Sequence, residues 1–186
     1  MRSTQRNFFE RFLYILVIGV LWVGSPLKAQ QTYNIPITRA AGNQFGQQVV
    51  PTNDLSGVFV LWLDNRSKKL ELFGQFLNAQ GIPLLENGAR VLNRPNPILS
   101  FAMATDGDGG FYVAWLEKAT VGSELFIQRF LKSGDTAWVQ PVQLGKSNRV
   151  FLNPHIVNDL GTGVYVAWDE AVILNNNVIS ANTDIM

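Results

Sequence analysis

The sequence predicts an all-β fold, an array of four-stranded antiparallel blades of the β-propeller type. Three observations predict it. Tryptophans stand 53 residues apart at Trp62, Trp115 and Trp168, each closing one phrase: Gly57-Val-Phe-Val-Leu-Trp62, Gly110-Phe-Tyr-Val-Ala-Trp115 and Gly163-Val-Tyr-Val-Ala-Trp168. Self-similarity at a fixed period of this size marks a repeat architecture, and about 50 residues is the measure of one blade. The phrase is also apolar at odd and even positions alike, where a half-solvated strand would alternate. Such strands must be covered on both faces, as blades packed between neighbours are.

The shift extends beyond the tryptophans. Glu71-Leu72-Phe73 returns as Glu124-Leu125-Phe126, Gln75 as Gln128 and Gly81 as Gly134. Asn53 maps to Asp106 and Asp159, and Asp64 to Glu117 and Glu170. The register runs from Gly57 to Met186 without a gap, although the third copy drifts at Asn177-Val178-Ile179-Ser180-Ala181.

Residues 1–29 stand apart from the array. Arg2, Arg6 and Arg11 precede an apolar run from Phe12 to Gly24, which Ser25-Pro26 breaks before the small residue Ala29. That order is the layout of a secretory signal peptide. The run of 13 residues is short of the roughly 20 that span a bilayer as a helix. The expected location is therefore secreted, cell-surface or periplasmic, with membrane attachment only if the segment stays uncleaved. Residues 30–47 are expected to form an N-terminal strand, the weak match of Ile35-Pro36-Ile37 to the region before Pro95 suggesting part of a closing blade. Repeat 1 then spans 48–100, repeat 2 spans 101–153, and repeat 3 spans 154–186.

Repeat 2 shows the unit best. Phe101–Thr105 is a short apolar strand, and Asp106-Gly-Asp-Gly-Gly110 is a tight turn, because glycines supply positive φ and Asp bonds its own backbone. Phe111–Leu116 is rich in aromatic and β-branched residues, a strand signal. Glu124–Leu131 makes a third strand and Lys132–Thr136 turns the chain. Trp138, Val142 and Leu144 mark a weaker fourth strand. By the same shift the position matching Gly134 falls at 187, one past the last residue. The array is thus incomplete at about two and a half blades, whereas rings take four to eight. The expectation is an N-terminal fragment whose partner is the remainder of its own longer chain.

Composition narrows the chemistry. Cysteine is absent, so disulfides, thiol chemistry and thiolate-held metals are excluded. Without residues 1–29 the chain carries 11 basic and 13 acidic side chains and no basic run, which argues against nucleic acid as a partner.

The phrase from Asp106 through Val113-Ala-Trp115, Glu124-Leu-Phe-Ile-Gln-Arg129 and Gly134-Asp-Thr-Ala-Trp138 resembles repeats of secreted bacterial β-propellers. These occur in large surface proteins, many exported by the type IX route. The resemblance covers residues 48–186. The turn Ser133-Gly-Asp-Thr-Ala-Trp138 also resembles a degenerate Asp-box of sialidase-like propellers, whose Ser-x-Asp-x-Gly-x-Thr-Trp pattern has a central glycine missing here.

No catalytic or cofactor-binding residue emerges. Asp106-x-Asp108-x-Gly110 has the look of a calcium loop, yet an EF-hand needs further carboxylates that Phe111–Leu116 does not supply; the turn is the simpler reading. Asp64, Glu117, Asp169 and Glu170 follow the tryptophans at strand ends. They fit a mouth that binds sugar or cation, or simply a repeated hairpin start. His155 is the only histidine and has no partner for a zinc site. Arg66, Arg129 and Arg149 suggest the arginine cluster with which sialidases grip a carboxylate, but they fall at different parts of the repeat and read as structural. The repeated tryptophans and the glycines Gly57, Gly110 and Gly163 read as core and turn positions, with sugar-stacking as the alternative for the former. The expected function is a noncatalytic exported scaffold or binding module of a larger surface or secreted protein, with glycan or protein as ligand. The alternative is a fragment of a sialidase-like glycoside hydrolase.

Overall fold

Three antiparallel sheets follow one another along the chain. The computed structural model describes residues 34–146, 149–161, 163–174 and 177–179; the leader expected over residues 1–29 lies outside them. Blade 1 is β1 (Gln44–Pro51), β2 (Gly57–Asp64), β3 (Glu71–Asn78) and β4 (Ala89–Arg90). Blade 2 repeats it as β5 (Ile98–Thr105), β6 (Phe111–Lys118), β7 (Ser123–Phe130) and β8 (Val142–Lys146). Blade 3 holds β9 (Val150–Asn158), β10 (Val164–Leu174) and β11 (Asn177–Ile179). Each sheet is a meander in which sequential strands pair. The fold is all-β, a partial β-propeller, with no helix among the described residues.

The first strand of each blade begins earlier than the repeat boundaries suggest. β1 starts at Gln44, so residues 44–47 enter blade 1 as part of its first strand, while boundaries at 100/101 and 153/154 fall inside β5 and β9. Residues 34–43 form no strand. Ile37 instead packs on Val60, Trp62 and Phe73, covering the face of blade 1 turned away from blade 2. Trp138 also departs from expectation. The fourth strand starts only at Val142, and Trp138 stands before it, half-buried, its ring 5.9 Å from that of Tyr112.

Burial explains why the strands are apolar throughout. Along β2, Phe59, Leu61 and Leu63 pack with Phe101, Met103, Phe111, Val113 and Trp115 of blade 2. Along β6, Tyr112 and Ala114 pack with Ile156, Val164 and Val166 of blade 3. Successive strand residues point to opposite faces, and because each blade repeats the last, equivalent positions keep the same facing: Phe59 and Leu61 meet blade 2 as Tyr112 and Ala114 meet blade 3. Each tryptophan looks back: Trp115 joins the core with blade 1, and Trp168 packs against Leu116, Leu125 and Phe151 toward blade 2.

The recurring glycines permit close backbone approach. A Cβ on Gly57 would lie 2.0 Å from the Leu77 carbonyl oxygen, and one on Gly110 would lie 2.1 Å from that of Phe130. On Gly163 it would lie 2.7 Å from Asp159 Oδ2. The turns between third and fourth strands also match. Gly81 and Gly134 have φ of 75° and 88°, and their N–H groups bond Asn78 O and Leu131 O at 2.8 and 2.9 Å. Gln75 and Gln128 then clamp the return segment: Gln75 pairs with both backbone groups of Leu85, and Gln128 Nε2 donates to Trp138 O at 3.0 Å. Between blades, Gln48 bridges Phe101 O (2.8 Å) and Met103 N (3.0 Å), and Asn158 Nδ2 reaches Thr105 O (3.0 Å).

Candidate functional site

The acidic residues that follow the tryptophans lie at the ends of the second strands and are built into the packing. Asp64 is fully buried. Its carboxylate accepts from Trp62 Nε1 at 3.0 Å and from Arg66 Nη2 at 2.6 Å, while the Arg66 backbone N–H donates at 2.8 Å. Arg66 lies 4.0 Å above the Phe73 ring. Burial opposes ionisation of Asp64, but the hydrogen bonds from Arg66 and Trp62 outweigh it and hold the carboxyl below its ordinary range.

Blade 2 rebuilds the arrangement with a different arginine. Glu117, 1% exposed, accepts from Trp115 Nε1 at 2.8 Å and from Arg94. Arg94 comes from the connection between blades and stacks 4.7 Å from the Phe126 ring. In blade 3, Glu170 meets Arg149 at 3.4 Å. Trp168 Nε1 is buried with no hydrogen-bond partner among the described residues.

Glu71 sits across the strand pair from Asp64 and is likewise buried. It bonds Ser67, Lys69 (3.3 Å) and Arg90 (3.2 Å). Burial again opposes its charge, and these partners outweigh burial, holding the carboxyl low. Two carboxylates therefore face each other at the strand end, each with its own cations.

The candidate calcium pair is turned to arginine. Asp106 Oδ1 accepts from the N–H groups of Asp108 and Gly110, both at 2.8 Å, which closes the turn. Asp106 Oδ2 takes Arg129 Nε at 2.9 Å, and Asp108, exposed, lies 3.5 Å from Arg129 Nη2. Asp159 repeats the turn, accepting from Gly161 N (2.7 Å) and Gly163 N (3.1 Å). Among the described residues no group of three or more His, Asp or Glu is placed to hold a metal ion. Arg66, Arg129 and Arg149 do not converge; each serves a different carboxylate.

Blade 3 also breaks the pattern one residue after its tryptophan. Where blades 1 and 2 bury Leu63 and Leu116, it carries Asp169, whose Oδ2 accepts from Asn153 Nδ2 at 2.8 Å. Asn153 has a φ of 48° at an irregularity in β9, and His155 is exposed two residues on. Bulges of this kind re-aim side chains. The pattern break was visible in the sequence, since Asp169 stands in register with two leucines.

A cavity of about 530 Å³ lies between blades 1 and 2. Its walls include Phe59, Leu61, Phe76, Leu85, Val91 and Phe111, with Lys132–Asp135 at one side. Phe59 lies 4.6 Å from Phe111 and 5.3 Å from Phe76, ring centre to ring centre. The sequence carries no sign of this space, because it depends on what is absent between two blades.

No protein-family model and no curated protein matches the chain. Among solved structures, the endo-arabinase from Bacteroides thetaiotaomicron is similar in fold, with a TM-score of 0.56 and 15% identity. The match covers 77% of this chain and 57% of that enzyme, so the chain spans little more than half of its length. At this identity the likeness is one of fold.

Proposed function

We propose that the chain is a noncatalytic β-propeller scaffold or binding module, exported and belonging to a larger surface or secreted protein. One observation carries the noncatalytic reading. Asp64, Glu117 and Asp106, acidic positions that the repeat supplies, are buried and bonded to indole, backbone or guanidinium groups. A glycosidase acid and base must instead meet the glycosidic oxygen and a water or the anomeric carbon. Export is supported by the order of residues 1–29. A further blade as partner is supported by blade 3, where Tyr165 is 71% exposed although its counterparts Phe59 and Tyr112 are 6% and 3% exposed. The test is an assay on arabinan, sialosides and other polysaccharides, run beside glycan-array binding. Hydrolysis abolished by a single carboxylate substitution would overturn the reading; binding without turnover supports it.

The second reading is a piece of a glycoside hydrolase. It is favoured by the fold shared with an endo-arabinase and by the departure of blade 3 at Asp169, Asn153 and His155. In that reading Asp169→Asn removes hydrolysis while leaving the melting temperature unchanged.

A further inference from the structure

At the place that corresponds, one blade later, to the cavity between blades 1 and 2, an aromatic side chain packs against the second strand. Phe59 corresponds to Tyr112, Phe76 to Arg129 and Leu85 to Trp138. The clamps of Gln75 on Leu85 and of Gln128 on Trp138 set the two backbones alike. At the second interface the Trp138 ring lies 5.9 Å from that of Tyr112, and Arg129 lies 5.9 Å above the same ring. At the first, Leu85 is too small to do this and is 44% exposed at the cavity wall. Another difference does not account for the space. Blade 1 pairs Leu61 with Gly74 where blade 2 pairs Ala114 with Ile127, so the larger side chain moves to the other strand. A Cβ on Gly74 would already lie 2.8 Å from Val91 Cγ2 and 3.3 Å from Leu61.

We propose that this cavity is a binding site for a neutral planar aromatic group, which occupies the place that Trp138 fills one blade later. The aromatic walls Phe59, Phe76 and Phe111 offer tilted and offset ring contacts, the arrangements aromatic pairs prefer. An apolar recess of this size with a few polar groups at its rim is a typical small-ligand site. The cations near it are already matched: Arg90 meets Glu71 at 3.2 Å, and Lys132 meets Asp54 across the blades. Ser133 Oγ meets Asp135 Oδ2 at 2.8 Å. An anionic ligand would have to break such pairs, and a neutral ring does not. The site is independent of the scaffold reading and holds for a catalytic propeller as well.

The ring can come from a free small molecule or from the side chain of a peptide. Indole and a neutral, end-capped Gly-Trp-Gly peptide distinguish the two, each titrated into the full chain and followed by calorimetry and by the melting temperature. Binding of indole alone assigns a small-molecule site; binding of the peptide as well assigns a site for an aromatic side chain. Leu85→Trp, which copies blade 2, should weaken indole binding at least tenfold and raise the melting temperature of the unliganded chain. Leu85→Ala, which leaves the recess open, should still bind. The proposal is overturned if neither probe binds the parent chain, or if Leu85→Trp folds and binds indole as the parent does.

Discussion

Gly110→Ala tests the claim that the repeated glycine exists for backbone approach rather than for an unusual φ. The added Cβ would lie 2.1 Å from Phe130 O, 2.8 Å from Asp106 Oδ2 and 3.2 Å from the Leu131 carbonyl carbon. Two of these atoms are backbone of the adjacent strand region, so the end of β7 must retreat from β6 by about 1 Å to restore ordinary contact. That movement disturbs the strand pair Phe111 with Phe130, whose rings stack at 5.0 Å within the core. It also strains the Asp106 carboxylate that closes the turn. Overpacking of this kind costs 1–3 kcal/mol or more, so about 3 kcal/mol is expected. At roughly 2–4 °C per kcal/mol for a chain of this size, the melting temperature should fall by about 6–12 °C. The control is Gly134→Ala. Nothing lies within 4 Å of its Cβ position and its φ is +88°, so it bears only the left-handed backbone cost of roughly 1–2 kcal/mol. Thermal and urea unfolding followed by far-ultraviolet circular dichroism compare the two. If Gly110→Ala melts no lower than Gly134→Ala, the close-approach argument is wrong.

Three further outcomes follow from the buried acidic groups. Arg94→Ala leaves Glu117 charged and buried, a loss of about 3–5 kcal/mol; urea unfolding of the single and of Arg94→Ala/Glu117→Gln should show the second change recovering much of it. Asp64 and Glu71 have carboxyls held below the ordinary range, so the unfolded chain takes up their protons first. Their contribution is whole above about pH 4.5 and is lost as pH falls through the lower folded values; urea midpoints between neutral pH and pH 3 should drop, and less steeply in Asp64→Asn. Trp115→Phe removes a donor to buried Glu117, at about 1–3 kcal/mol beyond the lost ring contact, whereas Trp168→Phe loses no such bond; equal destabilisation of the two variants would contradict the hydrogen-bond assignment.

The fold was legible because blade packing writes itself into the chain twice. A strand pressed between two neighbours is apolar at every position, as Phe111–Leu116 is, and a repeated neighbour repeats the phrase. Gly57 and Gly110 were legible for the same reason, though as turn residues; only coordinates show the carbonyl oxygens that exclude a side chain. Trp138 misled because an aromatic residue near Val142 and Leu144 has the composition of a strand. Its backbone is instead held by Gln128, whose recurrence from Gln75 was visible but whose partner was not.

The carboxylate sites were half legible, and the reason is geometric. Asp64 and Glu117 keep the 53-residue register because each accepts from the indole two residues before it, and Glu170 keeps the position without that bond. The arginines do not keep it. Arg66 lies two residues after Asp64, whereas Arg94 and Arg149 arrive from connections that precede their blades by different amounts. A guanidinium on a long side chain needs only to reach the carboxylate, so selection acts on where the charge ends and not on which residue carries it. Arg94, which pairs with one of the most buried acids in the chain, therefore left no periodic trace. The same logic bears on Asp169. A repeat position that exchanges a buried leucine for a half-buried carboxylate has been released from the apolar core, and a position so released is where a repeat scaffold acquires chemistry of its own.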